Sequence, residues 1–201
     1  MTSTDGEPVG LYQLCEEIPD EGGNWDDVRT WLAESSRSDA QHHIELPDEA
    51  TMSCLHLACR KRPPIDIVNY FVELAPNSVR TTDSKQGLLP IHFACAQGAS
   101  NEVLEFLIET HPESTAVADN KGRTPLHFAM ITRHELSANV ATLLSSAGAP
   151  SMSDGSGKLP LHYACAFGAA PEILKILTTA YRDGINKVDD KGFLPFHLAL
   201  A

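Results

Sequence analysis

Apolar residues return along this chain in short bursts that fit one side of a helix. Ile67, Val68, Phe71 and Val72 form one such face, Val103, Leu104, Leu107 and Ile108 the next, and Ile173, Leu174 and Leu177 another. Their i, i+1, i+4, i+5 spacing gathers them on a single stripe of an α-helix. Ahead of each lies a second apolar segment. Ser53–Cys59, Leu89–Cys95, Thr124–Met130, Leu159–Cys165 and Leu194–Leu200 align without gaps, with histidine and alanine at fixed places in all of them. Pro90, Pro125, Pro160 and Pro195 open four of these segments. Proline suits the first turn of a helix, where its missing N–H has no partner to lose. Gly98 and Gly168 stop two of the helices and Pro63 a third, while Pro76 and Pro112 are expected to end the second helix of their units. The pattern predicts alternating short helices, A then B.

The unit recurs. His56, His92, His127, His162 and His197 stand 36, 35, 35 and 35 residues apart. Gly87, Gly122, Gly157 and Gly192 precede four of them by five residues, and Asp48, Asp83, Asp119, Asp154 and Asp189 stand slightly further upstream. Aspartate ties its carboxylate to nearby amides and glycine accepts positive φ, so together they predict a β-hairpin tip. A helix pair this short cannot bury its apolar faces alone and must stack on its neighbours. Two departures stand out. Val140, Leu143 and Leu144 come two residues late in the third unit, placing extra length around residues 133–136, and Thr51 and Cys54 replace the glycine and proline of the first.

These segments resemble the Thr-Pro-Leu-His-x-Ala signature of the ankyrin family. The resemblance implies an all-α solenoid of stacked helix pairs with short β-hairpin or loop tips, spanning residues 41–201. Upstream, Leu11, Tyr12, Leu14 and Cys15, then Trp25, Val28, Trp31 and Leu32, predict a degenerate capping helix pair over residues 11–40. Residues 1–10 are expected to be an acidic, flexible leader. The fifth unit lacks a helix B before Ala201, so the chain is expected to be a fragment of a longer array.

Charge divides along the chain. Residues 1–50 hold 13 Asp/Glu against Arg29 and Arg37, whereas residues 51–201 hold 14 acids and 13 bases. A body this balanced gives no general attraction to nucleic acid. No apolar run approaches the roughly 18 residues of a membrane span, and the N-terminus has no basic, apolar secretion signal, so a cytoplasmic or nuclear setting is expected. Five cysteines, none in a Cys-x-x-Cys pair, are read as reduced thiols. Cys15 and Cys54 fall outside the repeat positions and are expected to be the more exposed.

Candidate chemistry is thin. Neighbouring helices lie about 8–10 Å apart, so equivalent histidines cannot share one zinc ion at about 2.0–2.1 Å. Cys59, Cys95 and Cys165 follow their histidines by three residues, the spacing of a thiolate–imidazole couple, but Met130 and Leu200 fill the same slot elsewhere. A slot that accepts cysteine, methionine or leucine is a packing position. No catalytic residue, cofactor or metal is expected. By the resemblance, binding falls to the tips and the outward side of helix A. That surface comprises Met52, Arg60, Lys61, Lys85, Leu88, Gln97, Lys121, Arg123, Thr132, Lys158, Phe167, Lys191 and Phe193. Across all such positions seven Lys/Arg face only Glu49 and Asp190, with Met52, Leu88, Phe167 and Phe193 as apolar anchors. The expected partner is a protein with an acidic segment bearing apolar side chains. The alternative is a regulatory segment of a larger enzyme or channel.

Overall fold

A computed structural model describes residues 10–19, 23–35, 52–132 and 136–199. The leader up to residue 9, Asp48, Glu49, Ala50, Thr51, Leu200, Ala201 and the extra length at 133–135 lie outside the described residues.

Eleven α-helices are described, and no strand occurs among the described residues. α1 (Leu11–Glu17) and α2 (Asp26–Glu34) precede the repeats. The helix A positions are α3 (Cys54–Arg60), α5 (Pro90–Gln97), α7 (Pro125–Ile131), α9 (Pro160–Phe167) and α11 (Pro195–Leu198). The helix B positions are α4 (Ile65–Leu74), α6 (Asn101–Thr110), α8 (Ala138–Leu144) and α10 (Pro171–Ala180). Each helix A packs on the next helix A, and each helix B on the next helix B, giving two layers. This is the all-α repeat solenoid the spacing implied.

Local chemistry sets the boundaries. Gly98 and Gly168 close α5 and α9 in the left-handed region, with φ of 67° and 71°. Ser100 and Ser137 cap α6 and α8 by accepting the amides of Val103 and Val140. Pro76 and Pro112 do more than end helix B. Each opens a 3₁₀ turn, Pro76–Arg80 and Pro112–Ala116, with equivalents at Ala149–Ser151 and Arg182–Asn186.

The core runs unbroken between the layers. Leu55, Ile67, Phe71, Leu89, Leu126, Leu144 and Leu177 are fully enclosed in it. α1 lies against α3, burying Leu11, Leu14 and Cys15. α2 is tied to the first repeat by the Arg29–Asp66 ion pair at 2.7 Å and by the Tyr70 hydroxyl, which donates to the Leu32 carbonyl at 3.3 Å. Cys15 and Cys54 are fully buried in this contact, against their expected exposure.

Candidate interaction surface

His56, His92, His127 and His162 are bonded at both ring nitrogens and His197 at Nδ1, and this fixes the tips on the stack. The backbone N–H three residues earlier donates to Nδ1, at 3.1 Å from Ser53, 2.9 Å from Leu89 and 3.0 Å from Thr124, Leu159 and Leu194. An Nδ1 that accepts cannot carry the proton, so Nε2 carries it. Nε2 of His56, His92, His127 and His162 then donates to the carbonyls of Leu88, Val117, Lys158 and Phe193 in the following repeat, at 3.0–3.1 Å. Ser53 and Thr124 add a hydroxyl contact to Nδ1 that the leucines at this position cannot make. Burial lowers the pKa of these four rings, His92 to about 4, so they are neutral struts. With both nitrogens committed, none of the four offers a lone pair to a metal.

The thiols are held in their protonated form. Burial raises the pKa of Cys59, Cys95 and Cys165, and that of Cys54 to about 12.

The tips are tight loops, with no strand among the described residues. Asp83, Asp119, Asp154 and Asp189 each fold the chain back by accepting amides further along their own loop. One backbone bond also closes each loop, the amides of Asp83, Asp119, Asp154 and Asp189 donating to the carbonyls of Leu88, Arg123, Lys158 and Phe193 at 2.8–2.9 Å, and the aspartate side chain takes the place of further strand pairing. Successive tips are joined through backbone. The amides of Asn120, Gly155 and Asp190 donate to the carbonyls of Gln86, Lys121 and Ser156 at 2.8, 2.7 and 3.1 Å. The result is one ridge, on which Lys85, Lys121 and Lys191 are exposed and Lys158 is half-buried. The ridge also holds Asp83, Asp119, Asp154 and Asp189, bonded within their own loops, and Asp190, whereas the other layer is acidic outright. Helices α4, α6 and α10 carry Asp66, Glu73, Glu102, Glu105, Glu109 and Glu172, with Lys175 the sole basic residue in those three helices.

Several residues of the expected surface are placed otherwise. Leu88 is only 5% exposed: its carbonyl accepts from Asp83 N and His56 Nε2, and its isobutyl group joins the core cluster. Lys61, at the C-terminal end of α3, is 9% exposed, so it too is no outward anchor. Arg123 turns inward on Asp119, with Nη2–Oδ2 at 2.7 Å, and lies 4.4 Å over the Phe128 ring. Met52, Arg60 and Gln97 are half-buried, and the Gln97 carbonyl accepts from Arg62 Nε at 2.6 Å.

Thr132 and Phe167 do share one groove. They line a groove of about 670 Å³ with Met130, Leu136 and Ala166, where helices α7 and α9 end. Sequence reasoning missed the residue just after each histidine. Phe93, Phe128 and Tyr163 set their rings edge-on to the histidine of the preceding repeat, with centroids 5.6–5.8 Å apart. Tyr163 stacks on Phe167 at 6.4 Å, extending this aromatic row to the groove. Three aromatics in consecutive repeats at one offset were the available signal.

No helix among the described residues is long and apolar enough to cross a membrane. Residues 55–154 match the family model described as ankyrin repeats (3 copies). No curated protein matches the chain.

Proposed function

Because the chain is an ankyrin-repeat protein, we propose that it is a non-enzymatic scaffold that holds an acidic, apolar segment of a partner along its tip ridge and the outward side of helix A. Ankyrin repeats generally mediate protein–protein contacts and are typically non-catalytic. The observation that carries the finer reading is the sorting of charge between layers. One lysine per tip recurs on a ridge spaced by backbone bonds, while acids collect on helix B. Such a surface steers an anionic segment to one face and repels it from the other. The groove beside Phe167 offers its apolar side chains a place to bury.

The test is a random peptide library selected on the immobilised chain. Enriched peptides should combine Asp/Glu with Leu or Phe, and their affinity should fall as salt rises. Lys85→Glu with Lys121→Glu should weaken them about ten-fold and flatten the salt dependence. Arg123 is unsuitable for this reversal because it holds its own tip together. Enrichment of neutral or basic peptides, or unchanged affinity in the double variant, would reject the reading.

A further inference from the structure

The sixth position of helix B changes size along the stack. It holds Tyr70 in α4, Phe106 in α6, Leu143 in α8 and Ile176 in α10. All four are half-buried and pack against the core, while the seventh residues, Phe71, Leu107, Leu144 and Leu177, are buried within it. Tyr70 shows where this position points. Its hydroxyl reaches the Leu32 carbonyl of α2, the helix just before it in the same layer. By the same register Ile176 faces α8, but with an aliphatic side chain where the first two units have rings.

Space is left there. A groove of about 690 Å³ runs between α8 and α10, lined by Thr142, Ser145, Glu172, Lys175, Ile176 and Thr179. Length is its second cause. α8 has seven residues and α10 ten, so the last turn of α10 lies opposite the Ser145 cap rather than a helix. Thr142 and Thr179 on its walls are exposed, so the groove is open to a partner. The charge beside it has one sign. α8 carries no charged residue, and α6 beyond it presents Glu102, Glu105 and Glu109. Glu105 accepts from Asn139 of α8 at 2.6 Å, so these acids border the helix that walls the groove. At the groove itself Glu172 and Lys175 offset each other.

We propose that the helix B layer is a second docking surface, where a partner protein inserts an aromatic side chain between α8 and α10 and lays adjoining Lys/Arg residues across α8 towards α6. The ring takes the place that Tyr70 and Phe106 fill from within their own units, and it buries apolar surface against Ile176. The bases answer the α6 glutamates. Two helix spacings separate α10 from α6, about 20 Å, which about six extended residues cover. The site lies on the other layer from the tip ridge and selects the opposite charge. The chain thus holds two partners at once, and either reading can fail alone.

The experiment titrates the ¹⁵N-labelled chain with acetyl-Phe-Ser-Gly-Ser-Lys-Arg-Lys-amide. Two control peptides carry alanine for the phenylalanine, or glutamates for the three bases. The amides of Ile176 and Thr179 report the groove, and those of Lys85 and Lys121 the ridge. The first peptide should shift the groove amides saturably, and each control should bind about ten-fold more weakly. Ile176→Phe, which fills the groove with the ring that the first two units carry, should remove the preference for phenylalanine over alanine. Ile176→Val should keep it. Glu102→Gln with Glu109→Gln should flatten the salt dependence and leave the phenylalanine preference intact. The library selection for the ridge is made on the Ile176→Phe chain, so that groove binders do not enter it. Equal binding of the alanine peptide, preference for the glutamate peptide, an undiminished phenylalanine preference in Ile176→Phe, or no shift at the groove amides would each overturn the proposal. So would groove shifts on concentrating the chain alone, which would mark a second copy as the occupant.

Discussion

His56, His92, His127 and His162 each bond backbone at both ring nitrogens, once within their own repeat and once into the next. Protonation at Nδ1 would break the first of these. The four buried rings therefore have folded pKa values below the unfolded value of about 6.5. Between those limits the unfolded chain binds more protons, so the stability they contribute is complete above about pH 6.5 and is lost as pH falls towards 4. Urea midpoints should drop through that window, and a flat profile down to pH 4.5 would contradict the strut role. Gly157 makes a second residue-level case. Its φ is +74°, and a Cβ there would lie 2.9 Å from the Asp190 amide nitrogen, which itself donates across the ridge. Gly157→Ala should cost roughly 1–3 kcal/mol in a denaturant titration. The histidines and glycines were visible in the sequence because they repeat. The bonds of Arg123 to Asp119 and of Tyr163 to Asp154 were not, because each is made in only one repeat.

Helix boundaries followed from proline and glycine wherever one residue did one thing. They were incomplete where one residue did two: Pro76 and Pro112 stop helix B and also open a 3₁₀ turn, and only the first role has a sequence signature. The tips were legible only in part for a related reason. Asp and Gly at that spacing suit a hairpin, but here the carboxylate takes the amides that strand pairing would have used. α10 differs from α6 and α8 in a testable way. Its N-cap is Ala170, whose side chain accepts nothing, whereas the Ser100 and Ser137 hydroxyls accept an amide at the same place. The φ and ψ of Ala170, −57° and 147°, nearly match those of Ser100, so serine fits without strain. Ala170→Ser should stabilise the chain by about 1 kcal/mol, read as a raised urea midpoint. An unchanged or lowered midpoint would mean that the Ile173 amide is satisfied in another way.

At the scale of the molecule, stability passes between neighbours, since each repeat contacts only the ones beside it. Helices α5 and α7 have a helix A on both sides, whereas α11 is short, meets α9 and leaves Phe196 exposed. Amide hydrogen exchange should be slowest in α5 and α7 and fastest in α11, and uniform protection along the array would disprove nearest-neighbour coupling. The tip ridge carries a further consequence. Its spacing is set by main-chain bonds from Asn120, Gly155 and Asp190, and the exposed lysines take no side-chain part in them. The lettering on this spine can therefore be rewritten while the binding of the book holds. A lineage could exchange Lys85, Lys121 or Lys191 for other residues and so acquire new clients without having to fold anew.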